Sequence, residues 1–339
     1  MVDRRACLQW LTSAALAPSV WAQNSAAQTR SNAWPRQPVQ MIVPYPVGGT
    51  SAILAKHLSK AFERNTRQSM RLNYQSGTGG LMAAAMVAKA AIDGQTLLMG
   101  GSHLAAARAL MPEEEFDFME ALRPLALVAK IPQVLLVNPA RMRSRTIMEW
   151  MLELARKPVR YRMATAGMGS SSHIYSELLK RREQLEFEFV HFRGSGPALQ
   201  DLLTGAADMM VDGLISCLPH VRSGRLKALL VSGHERSEVL PDVPCAQEIG
   251  LEVLDSVTWY GIFAPQALPD RTASAVIEVC QRMGQDEVLQ ASFQNLGIRW
   301  GDMYGHDFSD MVRQETLHWA QALKDVGLSN LMFKPVGEV

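Results

Sequence analysis

Beyond residue 22 the chain has no uncharged apolar run of the roughly 20 residues that a membrane-spanning helix needs, so no span is expected in the mature protein. No C-x-x-C motif occurs. Of the four cysteines, Cys7 lies in a leader-like segment, leaving Cys217, Cys245 and Cys280, an odd set in which at most one pair forms. The eight histidines, among them His173, His191, His220 and His234, lack metal-ligand spacing. No metal and no cofactor is therefore expected. Surplus charge is absent too. Lys and Arg number 34 against 33 Asp and Glu, and removing the leader with Arg4, Arg5 and Asp3 leaves 32 of each. With no basic stripe to neutralise phosphates, nucleic acid is not expected as a partner. There is no G-x-G-x-x-G fingerprint and no Gly-Lys-Ser/Thr of a P-loop, which argues against nucleotides.

What is present begins with an export signal. Arg4 and Arg5 form a positive start, Ala6 to Ala17 an apolar segment, and Val20-Trp21-Ala22 a small-residue cleavage site, so residues 1–22 read as a signal peptide and mature protein should begin near Gln23. Arg4-Arg5-Ala6-Cys7-Leu8 also approximates a twin-arginine signal, and both export routes stay open. Residues 23–33 are small and polar without periodicity, a disordered spacer before the fold starts at Trp34-Pro35.

The chain is organised around Val43-Pro44-Tyr45-Pro46-Val47-Gly48-Gly49-Thr50-Ser51, where an apolar strand, Val39 to Val43, gives way to an amphipathic helix with Leu54, Leu58, Ala61 and Phe62 on one face. The prolines remove ladder donors, and Gly48 and Gly49 allow positive φ and close approach of main chain. With Thr50 or Ser51 as N-cap, the stretch opens a helix N-terminus, which favours an anion. A plain strand-to-helix turn is the competing reading.

The same rule repeats. Met70 to Tyr74 is extended, Ser76-Gly77-Thr78-Gly79-Gly80 a second glycine loop, Leu81 to Ala91 a helix, and Thr96 to Met99 a short strand. This alternation predicts parallel sheet with helices on both faces and functional loops at the strands' carboxyl ends. Leu125 to Val137, interrupted by Lys130 and Pro132, reads as a crossing between two units, with a hinge there. A helix from Thr146 to Arg156 and a strand from Val159 to Met163 lead into Thr165-Ala166-Gly167-Met168-Gly169-Ser170-Ser171-Ser172-His173, again followed by a helix with Ile174, Leu178 and Leu179 inward. Three serines there exceed what one cap requires. Strand Phe187 to Phe192, turn Arg193-Gly194-Ser195-Gly196-Pro197, helix Ala198 to Leu203, and strand Met209 to Val211 ending in Asp212-Gly213 follow. After strand Leu226 to Val231 and the rigid Leu240-Pro241-Asp242-Val243-Pro244, strand Val257 to Phe263 makes the second crossing, and helices Asp270 to Arg282, Asp286 to Leu296 and His306 to Val326 complete the chain.

Taken together, Val43 to Thr50, Gly77-Thr78-Gly79-Gly80, Asp93-Gly94-Gln95-Thr96-Leu97-Leu98, Gly169-Ser170-Ser171-Ser172-His173, Arg193-Gly194-Ser195-Gly196-Pro197-Ala198-Leu199 and Leu240-Pro241-Asp242-Val243-Pro244 resemble the Bug family, the extracytoplasmic solute-binding receptors of tripartite tricarboxylate transporters. The resemblance runs nearly end to end. It implies an α/β, type II periplasmic-binding-protein fold: two doubly wound lobes joined by two crossings. Residues 34–131 and 257–339 would build lobe 1, and 132–256 lobe 2. It implies a periplasmic monomer that holds a small organic acid or amino acid in the cleft and serves membrane transporter subunits, with no catalysis. The ligand-binding residues carried over are Val47, Gly48, Gly49, Thr50, Gly169, Ser170, Ser171 and Ser172, with Asp212 as a rim contact. One departure is Ala52, where family members commonly carry an aspartate, so a plain organic acid is expected over an amino acid. Val47 replaces a common small residue or proline. Two other readings stand beside this one: a solitary sensor of organic acids, and a serine hydrolase using Ser171 or Ser172 with His173. The hydrolase lacks a G-x-S-x-G elbow and an identifiable acidic partner.

Overall fold

The computed structural model describes residues 34–110, 116–156, 161–251, 254, 257–325 and 327. The signal segment, the spacer, the start of the strand expected from Val159 and the end of the last expected helix at Val326 lie outside the described residues.

Strand β1 (Val39–Val43) is almost wholly buried, as expected for a central parallel strand rich in β-branched residues. Helix α1 (Thr50–Thr66) follows, burying Leu54, Leu58, Ala61 and Phe62 against the sheet. It ends where Arg67 turns left-handed at φ 59° and its N–H closes on Glu63 O. β2 (Met70–Tyr74), α2 (Leu81–Ala88) and β3 (Thr96–Gly101) complete a unit in which β1 pairs parallel with both β2 and β3. Helices α3 (Ser102–Leu110) and α4 (Phe118–Ala121) lead to β4 (Leu122–Ile131).

At Pro132 the chain changes sheets. Proline has no N–H to continue a ladder, and β5 (Gln133–Val137) belongs to the second sheet. That sheet gathers β6 (Arg162–Thr165), β7 (Glu188–His191), β8 (Met209–Gly213) and β9 (Lys227–Val231) in the order β7-β6-β8-β5-β9. Its helices are α5 (Ile147–Ala155), α6 (Ser171–Arg182), α7 (Ser195–Thr204) and α8 (Leu214–Arg222). β10 (Thr258–Pro265) returns to the first sheet, followed by α9 (Asp270–Gly284), α10 (Glu287–Leu296), β11 (Met303–Tyr304) and α11 (Gly305–Asp325). The first sheet has the order β11-β4-β10-β3-β1-β2.

The parallel pairing expected between Val39 and Met99 is present in β1, β2 and β3, and both sheets also contain antiparallel strands. β10 runs antiparallel to both β3 and β4, and β5 antiparallel to β8 and β9. The reason is connectivity: a chain that leaves one sheet in one strand and returns in another brings the two back in opposite directions. Other differences are local. Ser195, Gly196 and Pro197 open α7 instead of forming a turn before it, since proline is well accommodated in a first helical turn. Helices α3, α4 and α8 were not anticipated: α3 is too uniformly apolar around Leu104 to Ala107 to show a stripe, and α8 contains Pro219. Near the carboxyl end Trp319 of α11 lies 5.7 Å, ring to ring, from Tyr175 of α6, a contact between elements of the two sheets.

Candidate functional site

Loops from the carboxyl ends of the parallel strands meet between the sheets, as open α/β folds arrange their sites. After β1, Gly48 adopts φ +95°, a left-handed conformation that glycine adopts without Cβ strain. Gly49 does not. It is extended at φ −96°, ψ 174° and is itself the N-cap of α1, with no side-chain cap, so neither Thr50 nor Ser51 plays that part. What glycine provides at 49 is close approach: a Cβ there would sit 3.1 Å from Ser195 Cβ, a tight contact between the two loops. Because the helix starts at Thr50, the hydroxyls of residues 50 and 51 are free for other partners. Thr50 Oγ1 lies 2.9 Å from Ser216 Oγ on the other lobe, and Ser51 bonds the Tyr260 hydroxyl.

On the facing side, Ser170 caps α6, accepting from His173 N at 3.3 Å and donating to Gly167 O at 2.6 Å. Ser172 Oγ accepts from Ala166 N at 2.7 Å. Two of the three serines thus hold the loop together, and only Ser171, half-buried at the first helical position, keeps an uncommitted hydroxyl.

Asp212 at the end of β8 is buried, which corrects its expected place on the rim. Its Oδ1 accepts from Ser195 Oγ at 2.7 Å and its Oδ2 from Ser216 Oγ at 2.6 Å. Burial pushes its carboxyl up to about 6, the two serine bonds pulling the other way. Since Ser216 gives its hydrogen to Asp212 or to Gly213 O, Thr50 is the donor in the bond between the lobes. A Cβ on Gly213 would collide with Thr50 Oγ1, so β8 ends in a glycine for closeness.

These groups enclose a cavity of ≈ 30 Å³. At about 10–15 Å³ per water-sized probe, that is room for a carboxylate head or a pair of waters. Its walls include Gly49, Thr50, Ser51, Ser170, Ser171, Ser172 and Asp212. Val47, exposed at 57 %, Gly48 and Gly169 do not line it, although Gly48 packs against Gly196 and Gly169 against Gly79 to bring the loops together. Ala52 is buried one residue beyond the wall. Eight wall residues, Tyr45, Ser51, His103, Gln133, Ala166, Ser195, Gly213 and Tyr260, are not among the ligand-binding residues read from the sequence. Tyr45 donates to Gly79 O at 3.1 Å. Burial holds His103 down to about 3, so its ring is neutral, and Gln133 Nε2 donates to Thr258 Oγ1 at 2.7 Å across the crossing strands.

The electrostatics follow from helix placement. α1, α3, α6, α7 and α8 all begin at this cavity, through Gly49 to Ser51, His103, Ser170 to Ser172, Ser195 and Gly213. A helix start carries N–H groups without intrahelical partners and the positive end of a helix dipole; at α8 the Leu214 N–H is already donated to Pro132 O at 3.0 Å. Among the described residues no lysine or arginine lines the cavity. The arrangement presents helix dipoles and no cationic side chain, with the Asp212 carboxyl among its walls. It offers little to a hydrolase: His173 Nδ1 accepts from Gly169 N at 3.2 Å, its Nε2 lies 3.8 Å from Glu177, and burial, then His191, lowers its pKa to about 3. No described serine hydrogen-bonds that ring through its hydroxyl.

Two α/β lobes around an interlobe polar cavity define a solute-binding protein of the periplasmic-binding-protein class, and solved structures share the fold. The periplasmic binding protein BugD superposes with a TM-score of 0.83 at 24% identity, covering 87% of this chain and 99% of that one. MatC from Rhodopseudomonas palustris, with bound malate, gives a TM-score of 0.80 at 28% identity over 86% of this chain and 100% of that one. The chain belongs to the tripartite tricarboxylate transporter family receptors, the Bug receptors, whose family model matches residues 54–328. A protein from the tcbD-tcbE intergenic region of Pseudomonas sp. strain P51 is 31% identical over 90% of this chain and 91% of its own. BugT of Bordetella pertussis is 27% identical over 89% and 93%. Among the described residues no helix is long and apolar enough to cross a membrane.

Proposed function

We propose that this receptor captures a small organic acid in the periplasm and presents it to the membrane subunits of a tripartite tricarboxylate transporter, performing no chemistry on it. The observation that carries the reading is the meeting of five helix N-termini at a cavity without a cationic side chain. A carboxylate there is held by backbone N–H groups of Thr50, Ser51, Ser171 and Ser172 and by the Ser171 hydroxyl, with Ser195 fixed behind them by Asp212. Gly48, Val47 and Gly169 act by shaping and joining the loops. Charge-assisted bonds are each worth about 1.5–3 kcal/mol, so three or four support micromolar affinity after the cost of association. Lobe 1, residues 34–131 and 257–339, and lobe 2, residues 132–256, close on the acid because only closure completes its bonds. MatC, at 28% identity, was solved with malate, which supports a hydroxy- or dicarboxylate as the class.

Calorimetric titration tests this with succinate, glutarate, adipate and malate beside aspartate and glutamate. A plain acid should bind at micromolar concentration and its amino counterpart more weakly, because position 52 is alanine and both Asp212 oxygens already accept hydroxyls. Tighter binding of glutamate than glutarate overturns the choice of class. Equal binding of succinate and neutral succinamide overturns the anion site.

A further inference from the structure

Behind the two crossings lies a second cavity, ≈ 530 Å³ in volume. Side chains alternate along extended chain, and the crossings use both faces. Gln133 and Tyr260 line the cleft, whereas Lys130, Pro132 and Val257, of opposite parity on the same two segments, line the rear cavity. Its walls come from both lobes. The loop after β9, from Ser232 to Glu238, faces α10 and the segment Gly297 to Trp300, and Arg299 spans the gap to Glu235 at 2.6 Å.

The chemistry of those walls is specific in kind. Leu289, Phe293, Ile298, Trp300 and Val257 make it apolar, and the Trp300 indole N–H already donates to the Tyr304 hydroxyl at 3.0 Å, so the ring has only its apolar surface to offer. The neighbouring cations are engaged: Arg299 with Glu235, and Arg236 with Glu248 through two nitrogens at 2.7 and 2.6 Å. Lys130 is different. It lines the cavity and has no acidic or hydrogen-bonding side-chain partner among the described residues. An apolar volume within the usual range of ligand pockets, about 300–1,000 Å³, with the Lys130 ammonium unpaired in its wall and the exposed Glu238 carboxylate as the other unpaired charge among the described residues, suits a flat apolar body whose single negative group lies beside Lys130.

We infer that this rear cavity is a second ligand site, taking a small amphipathic aromatic anion whose binding is linked to that of the acid in the cleft. The linkage rests on the function proposed above. A molecule touching both rear walls stabilises the lobe setting seen here, in which the cleft loops touch. A cleft acid stabilises the same setting, so each tightens the other by one shared factor.

The probe is 8-anilinonaphthalene-1-sulfonate, a two-ring body with one sulfonate beside its anilino group, followed by fluorescence on full-length mature protein that melts cooperatively. Saturable one-to-one binding is expected. Gln294→Trp, filling the cavity from the exposed side of α10, should weaken the dye at least tenfold, and Lys130→Gln several-fold. Ser171→Ala, in the cleft, should leave dye affinity unchanged. Dye binding that ignores both rear substitutions overturns the site; if Gln294→Trp fails to fold, dye binding unaltered by Lys130→Gln overturns it alone. With dye present at saturation, malate should bind several-fold more tightly than without it, and the reverse. An unchanged malate affinity overturns the linkage. Failure of malate and the other acids to bind at all overturns the cleft reading, while the dye titrations still decide the rear site.

Discussion

The two loops that face each other across the cleft solve one problem by opposite means. The loop after β1 is stripped of side chains: Gly48 turns where a Cβ would be strained, Gly49 leaves space for Ser195, and the first N–H groups of α1 are laid open. The loop after β6 is filled with hydroxyls, of which Ser170 and Ser172 are spent on its own backbone. Nothing in the glycine loop can be deleted, so it is broken by addition. The serine loop is broken by subtraction, and its serines are not equivalent.

Gly49→Val should have the largest effect. Its branched side chain meets Ser195 Cβ, close to 3.1 Å from the first carbon it adds, and keeps the loops of the two lobes apart. No acid that binds the parent should be detected by calorimetry, with little change in the unliganded melting midpoint, because the position lies on a loop outside the core. Parent-like binding would show that the cleft closes without this contact. Ser172→Ala comes next, as a loss of stability. It leaves the buried Ala166 N–H without its partner, which costs about 1–3 kcal/mol, and denaturant titration should register the loss along with weaker binding. Ser171→Ala should cost affinity alone, about tenfold or 1–2 kcal/mol, with the melting curve unmoved. A comparable stability loss in both serine variants would erase the division of labour.

The smallest effect is the pH dependence, and it belongs to the serine side. Asp212 titrates near 6 when folded, above its ordinary 3.8, whereas His103 on the glycine side stays neutral down to about 3 and burial raises the Tyr45 and Tyr260 hydroxyls out of range. Above pH 6 the ionised Asp212 opposes an incoming carboxylate; as pH falls through 6 toward 5 that opposition is lost. Affinity should therefore rise a few-fold between pH 7.5 and 5.5, then fall as the ligand's own carboxylate protonates near 4. The stability contribution has the matching sign: folded protein retains a proton between about 4 and 6 that unfolded protein has released, so Asp212 lowers stability as pH rises across that window and adds no further slope above it. Asp212→Asn should flatten the affinity profile, and a profile of unchanged shape would remove Asp212 from the account.

Much of this is legible in the sequence alone. A strand ending in glycine, serine or proline ahead of an amphipathic helix is a local pattern, so the loops at Val47 to Thr50 and Gly169 to Ser172 and the passage at Pro132 can be found by reading along the chain. Side-chain direction cannot. Whether Val47 points outward or Asp212 inward depends on the register of β8 against β5 and on how the loops meet, and neither is local. His103 obeys the same rule as the loops, following Gly100-Gly101 at the end of β3, but its helix is too evenly apolar to advertise itself. Tyr260 and Gln133 carry no local signal. Only the pairing of β10 between β3 and β4, and of β5 beside β8, brings them to the cavity.

Cys217, Cys245 and Cys280 are buried as free thiols, on α8, on the loop after β9 and on α9. Burial pushes the Cys217 and Cys280 thiols up, Cys280 to about 12, so neither supplies the thiolate that disulfide exchange requires. The three add no covalent cross-link to the described fold, and all three are buried in it. The described fold is therefore held without a disulfide, and a reductant has no bond among these three cysteines to break.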